Sequence, residues 1–154
     1  LAQRSLSMIQ KNFGGIVPEI QQAPADTALV GEAIASIERM RDAMATQMIH
    51  EAAGELVALL NGANLYFAEQ APWGRKDDLP RMGAILATTA DIVRRAAIAA
   101  RAFVPESADR MLDMLRVPAE RRLLEHALDP ADVLGGTELP VPTPVFRKFE
   151  LPKP

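Results

Sequence analysis

Cysteine is missing from this 154-residue sequence, so disulfide bonds and thiolate metal ligands are excluded. The two histidines, His50 and His126, lie far apart without the short spacing of zinc ligands, and we expect no metal site. No apolar run approaches the ~20 residues that a membrane-spanning helix needs. No basic-then-apolar signal segment opens the chain either. These absences predict a protein without membrane or metal partners.

The sequence also has little that could support catalysis. The glycine pairs at 14–15 and 135–136 interrupt the pattern without forming a phosphate-binding loop. The serines lack a nearby histidine or the setting of a nucleophile elbow. No two carboxylates stand out as sharing an apolar cleft. We therefore expect no catalytic centre and no cofactor in this chain.

An excess of basic residues is lacking as well. The formal net charge is −3, which argues against a general polyanion binder, because such proteins normally present a basic surface. With 49% hydrophobic residues and mixed charge, the chain is typical of one globular domain. An RNA partner could be contacted only locally, at a few unpaired bases. The chain begins with Leu1 and not methionine, so we expect it to be a piece of a longer protein.

Apolar residues recur at helical spacing through most of the chain and predict five to six helices with almost no strand. Asp26 or Thr27 is the expected N-cap of the second helix, and Asp78 that of the fourth. Arg94 and Arg95 lie beside the apolar stripe of the fourth helix, and we expect both to be solvated, as arginines mostly are. The predicted helices span residues 1–13, about 27–45, about 51–71, 79–101, 105–116 and 118–128.

Beyond Asp129 the sequence becomes rich in proline. Half of the 12 prolines lie between Pro130 and Pro154, which predicts an extended tail after a helical bundle. Apolar residues at 141, 145, 146 and 149 give this tail enough hydrophobic surface to lie along a folded body. We therefore divide the chain into a bundle, 1–129, and a tail, 130–154.

The only tryptophan, Trp73, follows a proline that should stop the third helix, and Arg75 and Lys76 come directly after it. An aromatic ring at a helix end beside cations is one arrangement that binds single-stranded RNA, with bases on the ring and phosphates near the cations. A lone tryptophan is also commonly a buried core or loop anchor. From the residues alone, both interpretations of Trp73 remain open.

The segment that ends at Trp73 resembles the signature of the anticodon-binding domain of methionyl-tRNA synthetases, through Asn64, Tyr66 and the run Glu69-Gln70-Ala71-Pro72-Trp73. The similarity covers nearly the whole chain and continues at Leu1 to Arg4, Phe13, Gly15, Lys76, Met82, Phe103 to Pro105 and Pro144 to Glu150. It implies an all-α bundle of the class I synthetase anticodon-binding type. The tail would pack on the bundle or on a catalytic domain of the same protein that lies outside this sequence.

The resemblance also implies a function. The domain would read the CAU anticodon of methionine tRNA, so that a cytoplasmic, ATP-dependent methionine–tRNA ligase can aminoacylate it. ATP and methionine would bind the catalytic domain, whose signature motifs do not occur here. Trp73 would stack on the first anticodon base, a cytosine, and Pro72 would fix the approach of the backbone. Arg4 would contact anticodon bases, with Lys11 one to two turns further along the first helix.

The sequence departs from the family pattern in several places. Many relatives have an acidic residue where Ala68 stands, so the resemblance does not assign this chain the polar contact near the cytosine that such a residue would make. The segment after Trp73 is about one residue shorter than usual, and Arg75 and Lys76 are therefore assigned to no base. Relatives carry an asparagine just before the position of Leu1 that also touches the first anticodon base.

Other residues of the similarity are expected to serve packing. The spacing of Asn64 and Tyr66 suits contacts between helices as well as contacts with RNA, and we favour packing for both. Phe146 and Phe149 are expected to dock the tail and not to read RNA.

Two other functions remain compatible with the residues. The acidic balance and ordinary amphipathic helices would suit a helical protein-docking module without RNA binding. The chain could also be the anticodon-binding domain of another class I aminoacyl-tRNA synthetase, since related bundles serve several of these enzymes.

Overall fold

The computed structural model describes residues 1–19 and 21–145, and in this part of the chain it confirms the all-α prediction. Two single turns of 3-10 helix, Pro72–Gly74 and Ala119–Arg121, accompany the α-helices. Within the described residues strand pairing is limited to one isolated antiparallel bridge between Ile16 and Glu138. The six helices are α1 (Ala2–Phe13), α2 (Pro24–Ala45), α3 (Ile49–Gln70), α4 (Leu79–Ala100), α5 (Pro105–Met114) and α6 (Leu124–Leu128).

Helix α4 forms the centre of the bundle and packs against each of the other five helices. Nearly every residue from Met82 to Ala99 is buried, on all sides of the helix. A helix that is buried all round carries small or apolar residues on every face, and here Ala90, Ala96 and Ala97 let neighbouring helices approach closely. Among the described residues no helix is long and apolar enough to cross a membrane.

Several helix ends lie where the sequence predicts them. Gly14 ends α1 in the left-handed conformation, with φ 60°, which glycine adopts without a steric penalty. Asp78 caps α4, and its carboxylate accepts a hydrogen bond from the Arg81 backbone N–H at 3.1 Å. The start of α2 differs, because Ala23 is the N-cap. Asp26 lies one turn inside the helix and accepts from the Ala23 N–H at 2.9 Å.

Arg94 and Arg95 are buried, with 1% and 0% of their surface exposed, so the expectation that both are solvated is wrong. The physical reason is Asp91, which lies one turn earlier on α4. Its two carboxylate oxygens accept from Arg94 Nε at 2.9 Å and from Arg95 Nε at 2.7 Å. A carboxylate shared by two guanidinium groups supplies the compensation that buried cations require.

The remaining N–H groups of these two arginines hold the chain that follows α6. Arg94 donates to the carbonyl oxygens of His126, at 2.9 Å, and Asp132. Arg95 donates to the carbonyls of Ala127, at 2.6 Å, and Asp129, at 2.9 Å. Carbonyls at the end of a helix have no partner within it, and the two guanidinium groups satisfy them here. The centre of α4 thereby fixes the end of the last helix.

The predicted helix over 118–128 is interrupted. A 3-10 turn at Ala119–Arg121 is followed by an extended residue, Leu123, and the short helix α6. The Arg122 side chain turns back to the Val117 carbonyl, at 2.9 Å, and to Asp113, at 2.5 Å. Leu123 is consequently 56% exposed.

Residues 130–145 contain no helix and lie along α1 and the α1–α2 connection. Gln10 donates to the carbonyls of Leu139, at 2.7 Å, and Pro140, at 3.0 Å, and Leu134 and Leu139 are buried in the core. Phe146 and Phe149 lie outside the described residues. The division of the chain into 1–129 and 130–154 stays a prediction.

Replacing Asp91 with Asn should strongly destabilise the chain, because it removes the charge that Arg95 and Arg94 share and leaves Arg94 with only the more distant Asp132 carboxylate, at 3.7 Å. Removing one partner of a buried ion pair typically costs about 3–5 kcal/mol. The measurement is the free energy of unfolding of the 154-residue chain in urea. Glu106→Gln is the control. Glu106 is highly exposed, and its carboxylate forms only a long surface ion pair with the Arg110 guanidinium, at 3.9 Å, so its loss should change stability little. Similar small effects of both substitutions would contradict the structural role of Asp91.

Candidate nucleic-acid interface

The corner between α3 and α4 places Trp73 outside the bundle. The chain leaves α3 at Ala71, which has φ 44° and ψ 61°, a left-handed conformation that is strained for a residue other than glycine. Its N–H still donates to the carbonyl of Phe67 at 3.2 Å. Pro72 then starts the 3-10 turn, and the Gly74 N–H closes it on the Ala71 carbonyl at 3.0 Å. The turn is thus fixed by backbone hydrogen bonds on both sides of the proline.

The indole of Trp73 is half exposed and half anchored. Its exposed fraction is 49%, although a tryptophan is usually highly buried. The anchor is Phe67, whose ring centroid lies 5.7 Å from that of Trp73 with the planes inclined by 62°, an edge-to-face pair. Phe67 itself is 1% exposed. Trp73 therefore is not a sealed core residue, which was the other interpretation of its position.

Arg4 reaches the same aromatic ring from α1. Its guanidinium carbon lies 5.6 Å from the centroid of Phe67, within the range of a cation–π contact. The packing of α1 on α4 brings this exposed side chain to the end of α3. The fold therefore brings two of the four residues named from the sequence, Trp73 and Arg4, into contact with one buried phenylalanine ring.

The other two residues occupy different settings. Pro72 is buried at the base of the turn and acts on the backbone direction into Trp73. Lys11 is exposed in the last turn of α1, about 10 Å along the helix from Arg4 at 1.5 Å per residue. The described residues hold it in no ion pair. The contacts of Trp73, Arg4, Pro72 and Lys11 with RNA stay predictions.

A buried carboxylate lies beneath the corner and joins three helices. Asp26 of α2 is fully buried and accepts from the Tyr66 hydroxyl of α3 at 2.5 Å. It also accepts two hydrogen bonds from Arg81 of α4, at 2.6 and 2.8 Å. A bidentate arginine–carboxylate pair is both strong and specific in geometry. Asp26 therefore sets how the end of α3 and the start of α4 lie against α2.

Arginine side chains also hold the last residue of α3. Arg81 donates to the side-chain oxygen of Gln70 at 2.6 Å, and Arg75 donates to its backbone carbonyl at 2.8 Å. Arg75 thus caps the end of α3, which leaves Lys76 as the exposed cation after the turn. Both contacts span the loop that carries Trp73 and restrict its movement.

The protonation states in this cluster follow from its contacts. Burial alone would raise the pKa of Asp26, but hydrogen bonds from Arg81, Tyr66 and the Ala23 N–H outweigh it, and the pKa is lowered. Burial, and then the hydrogen bond to Asp26, raises the pKa of Tyr66. The hydrogen bond to Asp26 raises the pKa of Arg81. At neutral pH the cluster holds a carboxylate, a guanidinium ion and a neutral phenol.

Sequence reasoning missed this cluster. The sequence indicates Asp26 only as a cap and gives no signal for Arg81, because the pair joins residues 55 positions apart. Tyr66 agrees with its predicted packing role, because its hydroxyl is buried against Asp26. Asn64 is exposed and donates to the Leu60 carbonyl of its own helix at 2.9 Å. The one available signal was that Tyr66 and Gln70 belong to the same motif as Trp73.

The described residues form an all-α bundle in which a half-exposed indole and a guanidinium group contact one buried ring. An exposed aromatic ring beside a cation is one arrangement that binds unpaired RNA bases.

Comparison with known proteins identifies the family to which the chain belongs. The family model for the anticodon binding domain of methionyl tRNA ligase matches residues 17–151, and the chain belongs to this family. The methionine–tRNA ligase of Brucella suis biovar 1 (strain 1330) is 46% identical over 151 residues, which are 97% of this chain and 29% of that protein. The enzyme of Mycobacterium tuberculosis (strain ATCC 25618 / H37Rv) is 39% identical over 161 residues, 100% of this chain and 30% of its own length.

Solved structures agree with the sequence relatives. The apo form of Mycobacterium tuberculosis methionyl-tRNA synthetase superposes with a TM-score of 0.91 at 36% identity, over 98% of this chain and 31% of that one. The same enzyme bound by methionyl-adenylate gives 0.88 at 37% identity, over 95% and 30%. The chain therefore spans about 30% of the length of its relatives. The match to the methionyl family excludes the alternative that this chain is the anticodon-binding domain of another class I synthetase.

The low pKa of Asp26 predicts acid sensitivity. A carboxyl whose pKa is lower in the folded state than its unfolded value of about 3.9 stabilises the fold above that pH, and the stabilisation is lost as the pH falls through the folded pKa. Asp26→Asn should therefore lower the free energy of unfolding at pH 7 by about 3–5 kcal/mol. The difference from the unmodified chain should shrink below pH 4, as urea unfolding at several pH values can measure.

The matched control for this experiment is Asp77→Asn, because Asp77 is exposed just before α4. Its unfolding free energy should follow that of the unmodified chain at every pH. A pH-independent gap between Asp26→Asn and the unmodified chain would contradict the assignment.

Proposed function

We propose that this chain reads the CAU anticodon of methionine tRNA for a methionine–tRNA ligase of which it is one domain. The observation that carries the proposal is the half-exposed indole of Trp73, anchored edge-on to Phe67 at a helix end. An unpaired base gains most from a flat ring that is fixed in place and open on one side. Family membership supports tRNA as the partner that supplies this base.

Each residue has a specific part in this proposal. The first anticodon base, a cytosine, stacks on Trp73, and Pro72 directs the backbone so that the indole faces the base. Arg4 lies next to the same aromatic pair and donates hydrogen bonds to anticodon bases, because a guanidinium group presents several N–H donors in one plane. Lys11 lies further along α1 and meets the neighbouring nucleotides.

The charge of the domain supports a division of labour within the parent enzyme. With a net charge of −3, this chain neutralises few phosphates, and its own binding to RNA is weak. The rest of the parent protein supplies most of the contacts to the tRNA backbone. That remainder also carries the chemistry, in which ATP and methionine form methionyl-adenylate, the compound in one of the similar solved structures. The enzyme works in the cytoplasm.

Replacing Trp73 with Ala tests the base stack. One base–aromatic stack is worth ~1–3 kcal/mol, so kcat/KM for methionine tRNA should fall roughly tenfold to a hundredfold in the full-length ligase. Methionine activation by ATP, measured without tRNA, should be unchanged. Leu65→Ala is the control, because it removes an exposed hydrophobic side chain of α3 that lies outside the turn carrying Trp73. Unchanged tRNA kinetics in the Trp73 variant would refute the stack.

Base substitution tests which anticodon is read. Trp73 is the only tryptophan of the chain, so a base that stacks on it should quench the intrinsic fluorescence of the 154-residue chain. A stem-loop with the CAU anticodon should quench at low salt, and a loop whose first anticodon base is uracil should quench much less. A protein-docking module without RNA binding would show no quench with either loop. Equal quenching by both loops would show RNA binding without reading of the first base.

A further inference from the structure

Phe67 contacts both sides of the candidate site, and no sequence motif assigned it a function. Its ring meets the indole of Trp73 at a centroid distance of 5.7 Å and the guanidinium of Arg4 at 5.6 Å. Its backbone carbonyl accepts a hydrogen bond from the N–H of Ala71 at 3.2 Å. This bond holds Ala71, the strained residue that precedes the proline. One residue therefore holds the indole, the cation and the turn between helix and indole.

We infer that Phe67 is a positioning residue for anticodon reading, which fixes Arg4 and Trp73 relative to each other so that they act on the first anticodon base as a unit. The inference rests on the proposed function and extends it to a residue that is 1% exposed and touches no RNA itself. Within the described residues no cation–π contact joins Arg4 directly to Trp73. Coupling between the two side chains passes through the ring.

The aromatic character of Phe67 is what the inference requires. An aromatic ring has an electron-rich face and an electron-poor edge, so it orients both a neighbouring ring and a cation. An aliphatic side chain of similar size would fill the same volume in the core without orienting either group. The helix end would then remain folded while the indole and the guanidinium sample more arrangements.

The test uses Phe67→Leu and Phe67→Met in the full-length ligase. Both are apolar replacements near the original volume, and the flexible Met variant serves if the Leu variant does not fold. The first readout is the ratio of kcat/KM for methionine tRNA with cytosine or uracil as first anticodon base. We expect this ratio to fall about tenfold, which is the scale of a weakened base stack, and methionine activation to be unchanged.

The matched control is Leu59→Ala, a buried position of the same helix about two turns earlier. This variant should lose stability without a change in the cytosine-to-uracil ratio. A fall in the ratio for both Leu59 and Phe67 variants would assign Phe67 a general structural role only.

The second readout is a double-mutant cycle, which measures the coupling between Arg4 and Trp73. A Phe67 residue that served packing alone would not change this coupling. With Phe67 present, the effects of Arg4→Ala and Trp73→Ala on kcat/KM should be non-additive, since residues in one contact network couple. In the Phe67→Leu background the two effects should add.

An unchanged ratio together with unchanged coupling would overturn the inference. If Trp73→Ala alone leaves tRNA kinetics intact, the proposed function fails as well; if it impairs them while both Phe67 variants behave normally, only the inference fails.

Discussion

The fully buried carboxylate of Asp26 is the contact on which the candidate surface depends. It accepts hydrogen bonds from Tyr66 on α3 and from Arg81 on α4, and so joins the two helices on either side of the exposed turn to α2. Arg81 also holds the Gln70 side chain, the last residue before the turn. Ala71 sits between these anchors in a conformation that a free chain would rarely adopt. The strain persists because both flanking helices are fixed, and an exposed indole can be held still only on a fixed turn.

The internal use of arginine explains how an acidic domain can have a local RNA-binding surface. Arg81, Arg94 and Arg95 are each paired with a buried carboxylate, and Arg94 and Arg95 are themselves buried. Arg4 and Lys11 remain exposed on α1. A surface with so few available cations cannot hold a polyanion over a long stretch. It suits a partner that presents one or two unpaired bases while other parts of the protein hold its backbone.

Local features of the structure were predictable from the sequence, and long-range polar contacts were not. The end of α3, the cap at Asp78 and the special position of Trp73 depend on neighbouring residues, so the sequence indicates them directly. Asp91, one turn before Arg94 and Arg95, is a local signal for their pairing, but an i,i+4 ion pair is equally common on an exposed helix face. Their burial also needs carbonyls more than 30 positions away, for which the sequence gives no local signal. The Asp26–Arg81 pair likewise had no local signal. The family signature indicates the candidate site, but only the coordinates show that Arg4 and Trp73 both contact Phe67.

Under the proposed function, affinity and specificity have separate origins. Phosphate contacts increase affinity for every tRNA alike, because all tRNAs share the same backbone. A stacked base and a hydrogen-bonded base edge distinguish one anticodon from another, but they contribute only a few contacts. A domain that spans about 30% of its relatives and has a net charge of −3 is therefore suited to discrimination more than to holding the ligand. If the chain reads the anticodon as proposed, the fixed orientation of the indole and the guanidinium matters more than added positive charge, since additional cations would bind correct and incorrect tRNAs equally.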